Sequence, residues 1–202
     1  MEYAEATFAQ INAPSREREL FASSADYVER LAPLATETTW LTVTTTAQDA
    51  AAVAEQFSAV GLQPFDELKT LMTRPLAGHP VATAPPAYDV LVVDEGPLIY
   101  VHVHAADGSI AAHGMAAVVG TDVVMHDIET EATHRRRGLG RVVMGALVQR
   151  GVERGAEHGL LMATEVGTHL YRALGWSTEA ILVTATGPTP ARAELTETLS
   201  SI

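Results

Sequence analysis

The sequence predicts a mixed α/β protein in which an antiparallel meander is followed by a helix, a strand, a second helix and a last strand. Three observations support this fold class. Apolar runs separated by turn residues follow one another between residues 89 and 130, which is typical of neighbouring antiparallel strands. Residues 138–155 place apolar side chains at helical spacing, which predicts a long helix after the meander. Residues 159–164 and 178–186 are rich in residues that favour strands, on either side of a short helix predicted over 168–174.

The meander is expected to contain four strands, over residues 90–94, 97–105, 109–119 and 122–130. Asp107–Gly108 predicts a type I′ hairpin turn between the second and third strands. Such a turn would place His102 opposite His113, with His104 on the same face. Three imidazoles on one face have two interpretations, a zinc or proton-transfer site and an ordinary half-exposed polar sheet face. We expect the second, and no metal site.

In the N-terminal half, the sequence predicts helices that alternate with strands. Its predicted elements are, in order, a helix over 15–32, a strand over 38–46, a helix over 47–60 and a strand within 62–73. Ser15 is a plausible N-cap of the first helix, and Thr46 with Asp49 resembles a capping box for the second, which ends before Gly61. Residues 74–88 combine Pro, Gly and Ala without periodicity, which indicates a linker or a long crossing loop.

Composition excludes several function classes. The 202-residue chain has a formal net charge of −12, which disfavours binding to nucleic acid or to anionic membranes. It contains no cysteine, so disulfides, thiolate ligands and a cysteine nucleophile are excluded. The first ten residues are polar and acidic, and no apolar run reaches the ~18 residues of a membrane span. These features predict a cytoplasmic protein. A homodimer is expected only because cyclic dimers are the commonest assemblies.

A local cluster of positive charge contrasts with this acidic background. Residues 135–140 read RRRGLG and lie between a predicted strand and the start of the long helix. Free backbone N–H groups and the helix dipole converge on an anion in that geometry, and glycine lets the backbone approach it closely. Without an anion, three cations at a helix N-terminus each cost about 0.3–1 kcal/mol. Neither the nucleoside triphosphate loop nor the dinucleotide fingerprint fits, because no GxxxxGK[ST] is present and a meander precedes the turn.

The ordered motifs resemble the GCN5-related N-acetyltransferase (GNAT) family. Arg135-x-x-Gly138-x-Gly140 is similar to the acetyl-CoA pyrophosphate loop of that family, and residues 167–176, GTHLYRALGW, to its LY..LGF segment. The resemblance covers about residues 95–186 and implies a GNAT-like acyl-CoA N-acyltransferase domain over 85–202. Residues 1–80 would form a degenerate GNAT-like half. The trio Phe57, Gly61 and Leu62 repeats the spacing of Tyr171, Gly175 and Trp176, and we weigh duplication against chance for this match.

The resemblance implies an N-acetyltransferase that uses acetyl-CoA as co-substrate, without a metal and without a covalent enzyme intermediate. Tyr171 would be the general acid for the leaving thiolate. The residues implied to bind the cofactor are Ile128, Glu129 and Thr130 on the strand and Arg135, Arg136, Arg137, Gly138, Leu139, Gly140 and Arg141 in the loop.

A base for the attacking amine comes from the strand over 122–130. Strand alternation predicts His126 on the face of Ile128, with Asp127 and Glu129 on the other face. We favour Glu129, the residue nearest the expected thioester.

The acceptor is an unidentified amine of a small molecule or peptide, because no readable motif specifies its pocket. Two alternatives from other classes stay open. One is a catalytically silent acyl-CoA-binding regulatory module. The other is a protein-interaction domain in which the arginines at 135–137 dock an acidic partner.

Overall fold

The computed structural model describes residues 6–188, which fall into two compact units. The first unit comprises residues 6–68 together with residues 180–188, and the second runs from Lys69 to Glu179. This division differs from the 1–80 and 85–202 domains expected from the sequence, because residues 69–80 belong to the second unit and the last strand returns to the first. Among the described residues, no helix is long and apolar enough to cross a membrane. The segment predicted after the last strand lies, from residue 189 on, outside the described residues.

The first unit is a small sheet with helices on one face. Its elements are β1 (Ala6–Ala13), β2 (Arg16–Ala22), α1 (Val28–Leu31), β3 (Thr39–Thr45), α2 (Ala50–Ala59) and β4 (Gln63–Pro64). Strands β1 and β2 form a hairpin, and β3 runs parallel to β2. Residues 181–185 of the last strand, β11 (Ser177–Thr186), pair antiparallel with β3. Leu20, Leu41 and Phe57 are among its fully buried side chains.

The helix predicted over 15–32 is wrong for its first half, which is strand β2. Leu20 and Ala22 are buried while Phe21 between them is partly exposed, so the true period is two. A short apolar run cannot distinguish this from a helical face. The helical part begins only at Ala25, where Ser24 Oγ accepts a hydrogen bond from the Asp26 amide at 3.2 Å. The N-cap is therefore Ser24 and not Ser15.

The spacing shared by the two halves corresponds to one helix-ending geometry used twice. Gly61 after α2 and Gly175 after the later helix have φ of 82° and 83°. The Leu62 amide donates to the Phe57 carbonyl at 3.0 Å, as the Trp176 amide does to the Tyr171 carbonyl at 3.0 Å. These are the 6→1 bonds of a Schellman cap, which requires glycine in the left-handed region.

The second unit has the predicted order of elements, and the predicted fold class is confirmed. Its elements are β5 (Lys69–Pro75), β6 (Tyr88–Glu95), β7 (Leu98–Ala105), β8 (Ile110–Val119), β9 (Asp122–Thr130), α3 (Leu139–Glu153), β10 (His158–Ala163) and α4 (Glu165–Ala173). Strands β6 to β9 are a continuous antiparallel meander. Strand β10 runs parallel to β9 and antiparallel to β5.

The hairpin between β7 and β8 confirms the predicted register but not the turn type. His102 is the partner of His113. Gly108 has φ of 84°, whereas Asp107 is not among the residues with positive φ that a type I′ turn requires. The Gly108 amide donates to the Ala105 carbonyl at 2.9 Å, and Asp107 Oδ1 accepts from the Ser109 amide at 3.0 Å. The Ala105 amide donates to the Ser109 carbonyl at 2.9 Å, so the loop comprises three residues, 106–108, with the left-handed residue last, instead of the two residues predicted.

Helix α3 packs on β7, β8 and β9, and glycines allow its close approach. A Cβ on Gly114 in β8 would lie 2.6 Å from Val143 Cγ1. On another face of α3, a Cβ on Gly145 would lie 3.1 Å from Val81 Cα. The segment between β5 and β6 therefore crosses directly over α3. Of the two interpretations of residues 74–88, the crossing loop is confirmed.

Candidate active site

Two parallel strands separate at the centre of the candidate site. Strand β9 pairs with β10 only from Asp122 to Met125. Beyond that point its residues 126–130 pair with β8 alone. One edge of this segment therefore has no strand partner among the described residues. Apart from the Thr130 carbonyl, which accepts a hydrogen bond from Arg135 Nε, its outward backbone donors and acceptors can pair with an extended ligand as with an added strand. Ile128, Glu129 and Thr130 lie on this open edge.

A bulge at Asp127 controls which side chains face which way. Asp127 has φ of 52°, and two residues of β9 oppose Gly114 of β8. The register pairs Glu129 with His113 and His126 with Met115, so His126 and Glu129 lie on one face. Ile128 is on the core side, where a Cβ on Gly114 would lie 3.0 Å from it. The predicted grouping of His126 with Ile128 is wrong, because the extra residue of a bulge reverses the alternation.

The face opposite α3 carries a row of titratable side chains across three strands. His102, His113 and Glu129 are successive partners on β7, β8 and β9. His113 Nε2 lies 3.4 Å from Asp127 Oδ2. Within residues 6–188, no three acidic or histidine side chains are grouped so that they could hold a metal ion.

The loop between β9 and α3 has a run of free backbone amides. Among the described residues, no hydrogen-bond partner exists for the amides of residues 136–140. Arg136 and Gly138 have φ of 63° and 82°, and a Cβ on Gly138 would have no heavy atom within 4 Å. Where successive residues alternate between left-handed and right-handed backbone conformations at the start of a helix, their amides form a concavity that binds an anion.

Gly140, the second glycine of the motif, is packed and not open. A Cβ on it would lie 3.1 Å from Leu170 Cδ2 of α4 and 3.9 Å from Thr130 Oγ1. Its lack of a side chain therefore permits the close approach of α3 to α4.

The arginines of the loop have two different roles. Arg135 Nε donates to the Thr130 carbonyl at 3.1 Å, and Arg137 Nη2 to the Thr133 carbonyl at 3.2 Å. Arg136 and Arg141 make no hydrogen bond or ion pair within the described part of the chain. Their guanidinium groups are thus the ones left for an external anion.

Tyr88 anchors this loop to the first strand of the meander. Its hydroxyl accepts a hydrogen bond from Arg137 Nη1 at 2.7 Å and lies 3.0 Å from His134 Nδ1. Tyr88 is only 8% exposed. Since a phenol hydroxyl both accepts and donates, it can accept from Arg137 Nη1 and still hydrogen-bond to His134 Nδ1. Sequence reasoning missed Tyr88 and His134, because no local pattern joins residues 46 positions apart.

Tyr171 lies in α4, on its buried side. It is 8% exposed, and burial raises the pKa of its phenol to about 12. Its ring lies beside Gly167, where a Cβ would be 3.2 Å from Tyr171 Cε2. The hydroxyl has no hydrogen-bond partner among residues 6–188, yet it is not one of the fully buried unpaired polar atoms. The ring is therefore packed while the oxygen borders solvent.

The sequence profile of the acetyltransferase (GNAT) family matches residues 65–176, more than half of the 202-residue chain. The chain belongs to the GNAT family. The matched segment contains the open strand edge, the arginine loop and Tyr171, so the family resemblance noted in the sequence is confirmed for this part of the chain.

Solved GNAT structures share the fold of this protein at low identity. A GCN5-related N-acetyltransferase from Kribbella flavida is 17% identical, with a TM-score of 0.62 over 85% of this chain and 82% of that one. A second, from Sphaerobacter thermophilus, is 12% identical, with a TM-score of 0.62 over 90% and 76%. A tandem GNAT protein from the clavulanic acid biosynthesis pathway is 16% identical, with a TM-score of 0.56 over 82% and 69%. No curated protein matches the sequence.

Proposed function

We propose that this GNAT protein transfers the acetyl group of acetyl-CoA to a primary amine of a small molecule or peptide. The observation that carries the proposal is the run of free amides at residues 136–140 beside the open edge of β9. A pyrophosphate needs converging N–H donors. A pantetheine arm carries amides that can pair with a free strand edge. The open edge of β9 is followed directly in the chain by the loop with the free amides, so the pantetheine arm and the pyrophosphate of one acetyl-CoA molecule can bind to neighbouring segments.

The proposed cofactor contacts divide into backbone and side-chain groups. The amides of residues 136–140 bind the pyrophosphate, whereas the Arg141 amide already donates to the Gly138 carbonyl. The edge at Ile128, Glu129 and Thr130 pairs with the pantetheine arm. Arg136 and Arg141 supply charge, because neither is engaged within the described residues. Arg135 and Arg137 hold the loop in shape. Leu139 is buried and contributes through its backbone alone.

In the proposed reaction the neutral amine attacks the thioester carbonyl carbon directly. The new C–N bond forms, the C–S bond breaks, and the thiolate leaves as the cofactor's own group. The attacking nitrogen loses one proton, and the thiolate gains one from another donor. No covalent enzyme intermediate is needed, which agrees with the absence of cysteine.

Tyr171 serves the leaving sulfur as a hydrogen-bond donor. With a pKa of about 12 the phenol stays protonated throughout the neutral range. Complete transfer of its proton to a thiolate of pKa ~8.5 is unfavourable by about 4.8 kcal/mol. Stabilisation of the developing negative charge on sulfur by the O–H group carries no such penalty. We therefore propose that the Tyr171 hydroxyl stabilises the negative charge on sulfur in the transition state. The proton that finally neutralises the thiolate comes from solvent, which reaches the Tyr171 oxygen.

Glu129 is our candidate for the group that receives the amine proton. An amine of pKa ~10.4 is deprotonated at pH 7 at a cost of roughly 4.6 kcal/mol, so a nearby acceptor helps. Glu129 lies on the open edge, and its β8 partner is His113. His113 Nε2 in turn lies 3.4 Å from Asp127 Oδ2, so a second carboxylate lies near Glu129 on the same stretch of β9.

We also propose that the first unit is a degenerate copy of the second. Each contains a hairpin, a helical segment, a strand parallel to the second strand of that hairpin, and a further helix. Strand β5, the second strand after α2, pairs with β10, and β11, the strand after α4, pairs with β3. The loop after β2 reads SSAD where the loop after β9 has its arginines, so we expect the first unit to bind no cofactor.

Calorimetric titration of acetyl-CoA tests the proposal. The wild type is expected to bind with a micromolar dissociation constant, and Arg136→Ala to weaken binding about tenfold through loss of a charged contact. Arg172→Ala is the matched control, because Arg172 is exposed on α4 and its one side-chain hydrogen bond within residues 6–188 is to Thr178. A thiol-release assay with a panel of amines then measures transfer, which Tyr171→Phe should slow.

The other outcomes separate the alternatives. Binding without turnover of any amine, unaffected by Tyr171→Phe, would favour the silent acyl-CoA-binding module. Absence of binding by the wild type would overturn the proposal and favour docking of an acidic protein on residues 135–137.

A further inference from the structure

Strand β6 is an open sheet edge with an unusual surface. It pairs with β7 along its whole length, and β7 is its only strand partner among the described residues. Half of its backbone N–H and C=O groups therefore point away from the sheet. The strand reads YDVLVVDE and contains no lysine, proline or bulge. Its charged residues, Asp89, Asp94 and Glu95, lie towards the two ends, so the devices that prevent edge-to-edge pairing are absent from residues 90–93.

The side chains along this edge are apolar and exposed. Val90, Leu91 and Val92 are 39%, 49% and 39% exposed. Beside Val90 and Val92 lies a groove of about 580 Å³ between β6, the crossing loop and α3. Its lining includes the apolar Val142 and Ala146 and the charged Asp94, Arg150 and Glu153. A contiguous apolar strip on a strand edge is typical of a surface that another strand covers.

The charges at the two ends of β6 determine which strand fits. Asp94 is bound by Arg150, whose Nε lies 2.8 Å from Asp94 Oδ2, and by Arg154 at 3.5 Å. Asp89 has no ion-pair partner among residues 6–188. A second β6 brought alongside must therefore avoid placing another carboxylate opposite Asp89.

In a two-fold symmetric pair of β6 strands, both copies have α3 on the same side of the joined sheet. Residues that lie opposite each other must then face the same side, so the axis passes through a residue and not between two residues. A register centred on Val92 would place Asp89 opposite Glu95 of the second copy. A register centred on Leu91 places Asp89 opposite Val93 and Val90 opposite Val92 of the second copy. The second arrangement opposes no two carboxylates and joins the apolar grooves of the two copies.

We infer that β6 pairs antiparallel with β6 of a second copy of this protein, about a two-fold axis at Leu91. The contact is one strand wide and smaller than a standard interface, so a micromolar dissociation constant is expected. Each copy has a formal net charge of −12, so added salt should strengthen association by screening repulsion. A basic strand from another protein would bind more weakly in salt. This inference does not depend on the proposed transferase activity.

Sedimentation velocity over a wide concentration range tests the inference. The wild type should pass from monomer to dimer, and Leu91→Lys should raise the dissociation constant at least about tenfold by placing two ammonium groups on the axis. Val166→Lys is the matched control, because Val166 is 82% exposed on α4 and adds the same charge. A wild type that stays monomeric at the highest concentration overturns the inference, as does a dimer that Leu91→Lys does not weaken.

Cysteine crosslinking tests the register without altering charge. The chain has no cysteine, so a single introduced thiol can pair only with its counterpart in a second copy. Directly opposed residues of antiparallel strands have Cα atoms ~4.5–5.5 Å apart, within disulfide range. Leu91→Cys should form a covalent dimer on mild oxidation, and Val166→Cys should not. A disulfide formed by Val92→Cys and not by Leu91→Cys would overturn the proposed register.

Discussion

Replacing Tyr88 by phenylalanine tests how the arginine loop is held. The substitution removes one oxygen, which accepts from Arg137 Nη1 at 2.7 Å and lies 3.0 Å from His134 Nδ1. A hydrogen bond to a charged group contributes about 1.5–3 kcal/mol, and the exposure of Arg137 favours the lower part of that range. If the loop must adopt this conformation to bind, a loss of about 1.5–2 kcal/mol weakens acetyl-CoA roughly 10–30-fold.

The assay is calorimetric titration of acetyl-CoA into Tyr88→Phe, with urea unfolding to verify the fold. Tyr100→Phe is the control, because the Tyr100 hydroxyl has no hydrogen-bond partner among the described residues. Equal affinity of Tyr88→Phe and the wild type would refute the anchoring role. Tighter binding would refute it more strongly, since it would mean that Tyr88 withholds Arg137 from the phosphates.

Three further predictions concern stability. Burial raises the pKa of Tyr171 from 10.0 to about 12. Its contribution to the free energy of unfolding is therefore fully present below pH 10 and is lost as the pH rises toward 12. Urea unfolding should show a fall of up to ~2.7 kcal/mol over that interval that is absent in Tyr171→Phe. Burial also lowers the pKa of His79 from 6.5, so folding stability should fall as pH drops below 6.5. This acid dependence should flatten in His79→Gln but persist in His169→Gln, whose site is exposed. Gly114→Ala should lower the free energy of unfolding by about 1–3 kcal/mol, because the new Cβ would lie 2.6 Å from Val143 Cγ1; unchanged denaturation midpoints would contradict it.

The sequence was sufficient for the meander because its signals are local. Alternating apolar residues and glycine at the turns determine both the strands and their order, and even the pairing of His102 with His113 followed from the hairpin. Helix α3 was equally accessible, since its buried positions follow the helical period. The resemblance of residues 135–140 and 167–176 to GNAT motifs then predicted how these local elements combine into one fold.

The parts that failed depend on partners distant in the chain. Strand β2 has no alternation strong enough to exclude a helix, and it is strand because β1 and β3 pair with it. The bulge at Asp127 contains no glycine that would indicate it in the sequence, although Asp127 has a left-handed φ of 52°. Asp127 tolerates that conformation better than most residue types, which is why the sequence carries no stronger signal.

The two glycines of the arginine loop connect binding to chemistry in different ways. Gly138 allows the left-handed turn that leaves five amides free, so its requirement is conformational. Gly140 allows Leu170 of α4 to lie where a side chain would otherwise be. The next residue of α4 is Tyr171, so the helix that carries the proposed donor to sulfur packs directly on the proposed phosphate site. A change at Gly140 would therefore move α4 and the loop together, whereas a change at Gly138 would act on the loop alone.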